Sequence, residues 1–345
     1  ASAHPQTTCV ISSRFTDFKK GQFLSSHTVE WELLPLDHSL CQKLADRLLP
    51  ELQQRMPQTG ASDPKAFLKT LEMHPRIATW GKNPLLFSLA AILYVRRGQL
   101  PESRKELYLQ VIDAIIELRE PALEWRVTLR EIFGALAYKL LTEQKGRTFS
   151  VTDLITLLRY IRQEQGENWH VEDIARRLRN AGLLEAVGQG SFSFLHQTFQ
   201  EYLAGYYVAL LPSPRAEQAV DRLVEHIDDP FCRYIIIELA HIVNQQKPIL
   251  ESYLYQRTIK QYKQAKMGLL EAQQTGQLTS SSAISGGCDA VLQALVDVWG
   301  LRLCSTLESG SPHRKEDGEV ASSIAWVFER NPRTFAVPAL IAGLF

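Results

Sequence analysis

The chain has 345 residues, 45% hydrophobic and 22% charged, and its 38 Lys and Arg balance its 38 Asp and Glu. This is globular composition, long enough for two or three domains. A zero net charge argues against a protein built for non-specific nucleic-acid contact, which usually carries a basic excess. The five cysteines, odd in number and with no CxxC pair, fit a reduced, cytoplasmic protein better than a disulfide framework or a zinc site. No apolar run approaches the roughly 20 residues a membrane helix needs, so neither a membrane nor a metal site is expected.

The opening "ASAHPQTTCVISSRF" lacks an initiator Met and reads like the inside of a domain, so the expectation is a fragment. "TTCVISS" (7–13) is a β-branched run suited to a buried strand, and "HTVEWELLPL" (27–36) predicts another. From about residue 38 the period turns helical. "LCQKLADRLLPEL", "NPLLFSLAAILYVRRG" and "SRKELYLQVIDAIIELRE" carry apolar residues at three- and four-residue spacing. Pro84 stands at a first helical position, and Gly98 is a C-terminal stop.

Residues 129–195 change rhythm. Three helices are predicted, "LREIFGALAYKLLTEQ", "SVTDLITLLRYIRQEQG" with Ser150 as N-cap, and "HVEDIARRLRNAG" ending at Gly182. The hairpin "LLEAV", "GQG", "SFSFL" follows. Three helices and a two-stranded wing are winged-helix order. The next helix, 196–211, places Phe199, Tyr202, Leu203, Tyr206 and Leu210 on one core-facing side. Beyond 214, segments such as "QAVDRLVEHI", "PFCRYIIIELAHIV" and "DAVLQALVDVWGLRLCSTL" predict helix pairs without a fixed repeat period. The polar stretches 273–287 and 308–319 read as loops or linkers.

Together "CVISSR", "NPLLFSLAAILYVRRGQLPESRKELY" and "LRNAGLLEAVGQGSFSFLHQTFQEYLAGYYVA", in that order and spacing, resemble the C-terminal part of a NACHT-type nucleotide switch protein of the STAND class of P-loop ATPases. The resemblance implies a mainly α fold. Residues 1–37 would close a P-loop nucleotide domain with its remnant strands, 38–120 would be a helical domain, 121–212 a winged-helix domain, and 213–345 a helical bundle or HEAT-like array. It also implies a signalling switch that binds ADP or ATP. The phosphate-loop pattern GxxxxGK[ST] and an acidic Walker B strand are both absent from the sequence. The parent family hydrolyses ATP, whereas this chain alone is expected not to. Mg²⁺ would be bound only with the missing nucleotide domain, which is the expected partner, and the full protein would oligomerise on activation.

Three residues carry the nucleotide expectation. His196 lies where a wing strand meets a helix N-terminus, a place favourable to anions, where a neutral imidazole could donate one N–H to phosphate. The resemblance implies contact with the β-phosphate of ADP; the plain alternative is a buried histidine bonded to a backbone carbonyl. For Pro84 the resemblance implies packing against adenine, the alternative being an ordinary first-turn proline. For Arg14 it implies a γ-phosphate sensor, the alternative being an exposed strand-end arginine.

Two further functional classes stay open. A winged-helix DNA-binding regulator would use Arg176, Arg177 and Arg179 on its third helix, but the wing "GQGS" carries no basic residue. A nucleotide-independent helical scaffold would use none of these sites. Glu201 beside the histidine helix has no nucleophile constellation around it and reads as structural.

Overall fold

The computed structural model describes residues 34–55, 63–73, 81–120, 122–144, 148–187, 190–243 and 246–274. Arg14, the strand expected at 7–13 and the segments beyond 274 lie outside the described residues, as does most of the strand expected at 27–36, whose last residues 34–36 are irregular.

Four helices come first: α1 (His38–Arg55), α2 (Pro64–Met73), α3 (Pro84–Arg97) and α4 (Arg104–Glu117). Side-chain chemistry sets their starts. The Asp37 carboxylate accepts from the Leu40 N–H at 2.7 Å, and Asn83 Oδ1 accepts from the N–H groups of Leu85 and Leu86 at 2.9 and 3.2 Å. Pro84 then fills the first helical position, where its missing N–H costs nothing. Gly98 stops α3 in the left-handed region at φ 72°, its N–H bonded to the Tyr94 carbonyl. Phe67 of α2 packs edge-on to Phe87 and against Tyr94 of α3, which ties α2 and α3 into one small core.

The winged-helix unit follows. It runs α5 (Leu123–Lys139), which continues through a π-helical turn (Leu140–Gln144), then β1 (Thr148–Ser150), α6 (Val151–Gln165), α7 (Val171–Asn180), β2 (Leu184–Ala186) and β3 (Ser191–Phe194). The sheet is antiparallel in the order β1-β3-β2, with Phe149 opposite Phe192 and Leu184 opposite Phe194. The sequence predicts only the two-stranded hairpin. β1 has three residues, too few to show a period, and its last residue also caps α6: Ser150 and Asp153 form a capping box.

The helix α8 (Gln197–Leu210) is buried on more than the single face that its sequence pattern suggests. Phe199, Tyr202 and Leu203 are buried as expected, but so are Gln200, Glu201, Ala204, Gly205, Val208 and Ala209, whereas Leu210 is 43% exposed. The reason is that α8 lies between α5 on one side and α10 on the other. Two glycines permit this. A Cβ on Gly134 of α5 would sit 3.0 Å from the Leu203 carbonyl oxygen, and a Cβ on Gly205 of α8 would sit 2.9 Å from the Leu239 backbone nitrogen of α10. The remaining described helices are α9 (Ser213–Glu225), α10 (Pro230–Val243) and α11 (Pro248–Gln274). α9 and α11 are joined by Asp221, which accepts from the Tyr253 hydroxyl at 2.9 Å and pairs with Arg257.

Candidate functional site

The site is assembled at the end of the wing. Phe194, the last residue of β3, is buried against Phe133 of α5, and the Leu195 N–H donates to the Leu183 carbonyl at 2.8 Å. These contacts fix the chain where it leaves the sheet. The next residue, His196, has extended backbone (φ −148°, ψ 137°) and is the N-cap of α8. Its carbonyl accepts from Phe199, and its Nδ1 accepts from the Thr198 N–H at 3.1 Å.

That last bond has a chemical consequence. A ring nitrogen that accepts a hydrogen bond carries no proton, so the neutral ring holds its proton on Nε2. The ring is exposed and lies edge-on to Phe199, 6.2 Å between centroids. His196 is therefore not the buried residue of the plain reading; it is an exposed capping residue whose donor is Nε2–H.

Pro84 is also exposed, at the first position of α3. α3 and α8 both pack on α4. The Tyr108 ring of α4 lies 6.1 Å from Phe199 and 5.3 Å from Tyr202, and the Tyr202 hydroxyl donates to the Lys105 carbonyl at 3.2 Å. The helices bearing Pro84 and His196 thus share one support. Arg14 is outside the described residues.

The third-helix arginines are engaged within the chain. Arg177 pairs with Glu120 and Asp173, and its guanidinium lies 4.0 Å from the Trp125 ring centroid. Arg176 pairs with Asp173, and Arg179 Nε donates to the Ala175 carbonyl at 3.3 Å. Hydrogen bonds from Arg177 and Arg176 lower the pKa of the Asp173 carboxyl. Glu201 is buried and accepts from the Gln197 side chain at 2.8 Å, a structural use.

Sequence reasoning missed a second cluster. Asp113, Glu117 and Glu120, on α4 and just after it, meet arginines from three helices. Arg96 of α3 and Arg126 of α5 both pair with Glu117, at 2.7 and 3.0 Å. Arg130 of α5 pairs with Asp113, and Arg177 of α7 with Glu120. The four-residue spacing of Asp113 and Glu117 marks one helix face, but nothing in the sequence names the partners.

Among the described residues, no group of three or more His, Cys, Asp or Glu could hold a metal ion, and no helix is long and apolar enough to cross a membrane. His196 and Pro84 could offer a nucleotide one N–H donor and one apolar ring; a phosphate cradle would have to come from elsewhere.

No curated protein matches the chain. Residues 117–208 match the family model of the winged helix-turn-helix domain C-terminal to NACHT. The match runs from the end of α4 almost to the end of α8, over the helices and three-stranded sheet described above. The chain therefore carries, at residues 117–208, the winged-helix domain of NACHT-type proteins.

Proposed function

We propose that this chain is the regulatory segment of a NACHT-type signalling ATPase, in which the winged helix holds an ADP-bound off state. The observation that carries this reading is the placement of His196 as the exposed N-cap of α8, with the Thr198 N–H on its Nδ1. Its Nδ1 is occupied by the Thr198 N–H, so its proton is on Nε2, on an exposed ring at the positive end of α8. Such a group suits a diphosphate presented by a nucleotide domain, and Pro84 offers a flat apolar edge to the base.

ADP would supply the negative charge that draws the two domains together. His196 would donate to it without itself becoming charged, and α8 would hold the ring at a fixed angle. Exchange for ATP would release the winged helix and expose surfaces for oligomerisation.

The test uses protein that includes the nucleotide domain. A hydrogen bond to a charged phosphate is worth about 1.5–3 kcal/mol, so His196→Ala should weaken ADP binding roughly tenfold to a hundredfold. ATP binding should fall less, and spontaneous oligomers should increase. Because Ala also removes an N-cap, His196→Ser serves as the second variant: serine keeps a capping oxygen but has no reach to a phosphate. Equal losses for both nucleotides, or undiminished ADP binding by the serine variant, would return His196 to a purely capping role.

A further inference from the structure

We infer that the cavity where α4 and α7 end is a binding site for a phosphate group, with the guanidinium groups of Arg119, Arg176 and Arg177 as its donors. The inference does not depend on the nucleotide reading of His196.

The cavity measures about 170 Å³, and Glu120, Asn180 and Ala181 complete its lining. Its charges do not balance. Arg177 pairs with both Glu120 and Asp173, and Arg176 pairs with Asp173. Among the described residues the Arg119 side chain forms no ion pair. Three guanidinium groups thus meet two carboxylates, and one positive charge is left over beside a space that holds an oxyanion with several waters.

The donors are also in surplus. A guanidinium carries five N–H groups. Asp173 and Glu120 engage Nε and Nη1 of Arg177, and Asp173 engages Nη2 of Arg176. Nη2 of Arg177, Nε and Nη1 of Arg176 and the whole fork of Arg119 remain for a ligand. A phosphate turns its oxygens in several directions and can accept from separate forks at once, whereas a carboxylate offers two oxygens in one plane.

The arrangement is held in place. Arg177 lies 4.0 Å from the Trp125 ring centroid and is braced by its two carboxylates, so little of its freedom is lost on binding. Gly182, at φ 85°, lets the chain after α7 approach α4 so closely that a Cβ would sit 3.1 Å from Ile115 Cγ2. This brings Arg119 beside the arginines of α7.

Arginines at helix ends ordinarily cover the last carbonyls. That use accounts for Arg179, which donates to the Ala175 carbonyl. It does not account for Arg119, because the Ala114 and Ile116 carbonyls at the end of α4 already accept from the N–H groups of Leu118, Arg119 and Glu120.

The experiment titrates the full chain, ¹⁵N-labelled at arginine, with inorganic phosphate and with phenyl phosphate, and follows the arginine Nε–H resonances. Ionic strength is held constant with chloride, because screening alone shifts exposed charges. Both ligands should give saturable shifts at Arg119, Arg176 and Arg177, and the tighter of the two identifies a free phosphate or an ester as the source. Arg119→Gln and Arg176→Gln should each weaken binding about tenfold, as expected for loss of a charge-assisted hydrogen bond. Arg179→Gln, on the same helix but outside the lining, should leave binding unchanged. The absence of saturable shifts with both ligands would overturn the inference. So would equal shifts with acetate, or an equal loss in Arg179→Gln, which would mean general charge attraction. Arg119 and Arg176 are exposed, so their replacement leaves the core intact, and the wild-type comparison of phosphate with acetate decides the matter without any variant.

Discussion

On one side of the winged-helix domain, four arginines and three carboxylates meet at α4, each partly open to water. On the other side, Gly205 brings α8 so near α10 that a single methyl group would press on the backbone. The charged rim of the first junction, over the buried Ile112 and Ile116 of α4, is made of long side chains that can exchange protein for solvent partners. The second is made of backbone in van der Waals contact, with Ile235, Ile236 and Leu239 wholly buried in α10. Its attraction exists only at one separation. The difference teaches which contacts salt can reach: the charged rim of α4, and not the close packing of α8 on α10.

The largest expected effect tests the shared anchor. Phe199 is 3% exposed and touches both Tyr108 and the His196 ring. Phe199→Ala should cost about 3–5 kcal/mol, as for buried aromatics generally. An unchanged thermal midpoint would show that α8 is not anchored as described.

Next comes the close junction itself. Gly205→Ala should cost about 1–3 kcal/mol by overpacking, and the loss should be the same at low and high salt. Denaturant titrations at two salt concentrations check this, and a salt-dependent loss would erase the distinction between the two junctions.

Alkaline pH probes a third contact, where Tyr138 of α5 and Tyr207 of α8 lie 5.6 Å apart. Burial pushes both phenols up to about 12. In the unfolded chain they ionise near 10. Their contribution is thus fully present below about pH 10 and is lost as the pH rises towards 12, because only the unfolded chain releases the protons in that window. Denaturant midpoints should hold to about pH 9.5 and then fall; Tyr202, raised further still by burial, adds to the same trend.

The smallest effect belongs to the polar junction. Glu117→Gln removes charge from a carboxylate shared by Arg96 and Arg126. Solvent screens such pairs, so the stability change should be at most about 1 kcal/mol and should vanish at high salt. A loss as large as that of Gly205→Ala would mean the α4 side is as fixed as the α10 side.

What the sequence made legible follows physical range. Pro84, Gly98, Ser150 and Gly182 mark helix ends through contacts within a few residues, and each sits at such an end. The histidine at the mouth of α8 is legible for the same reason, since a wing strand stops and a helix begins around it. β1 is not, because its strand character comes from pairing with residues more than 40 positions away. Nor is the burial of Gln200 and Glu201 on the second side of α8, which α10 imposes from a later segment. Of the candidate site, His196 and Pro84 are visible through local chemistry. The charge cluster at α4 is not: its carboxylates lie 17 to 57 residues from Arg130, Arg96 and Arg177.

The strand order β1-β3-β2 also fixes an order of events. The β2–β3 hairpin closes locally, on the microsecond scale of hairpins generally. β1 can join only after α6 and α7 have brought it back across the intervening chain, a slower search. Because β3 is the central strand, the sheet stays open on both edges until residue 194 has been made. During synthesis, α5, α6 and α7 would emerge before the strand that unites them, and the histidine would follow two residues after its last member. The strand that completes the sheet is thus also the one that delivers His196, and the Leu195 N–H on the Leu183 carbonyl fixes the chain just before it.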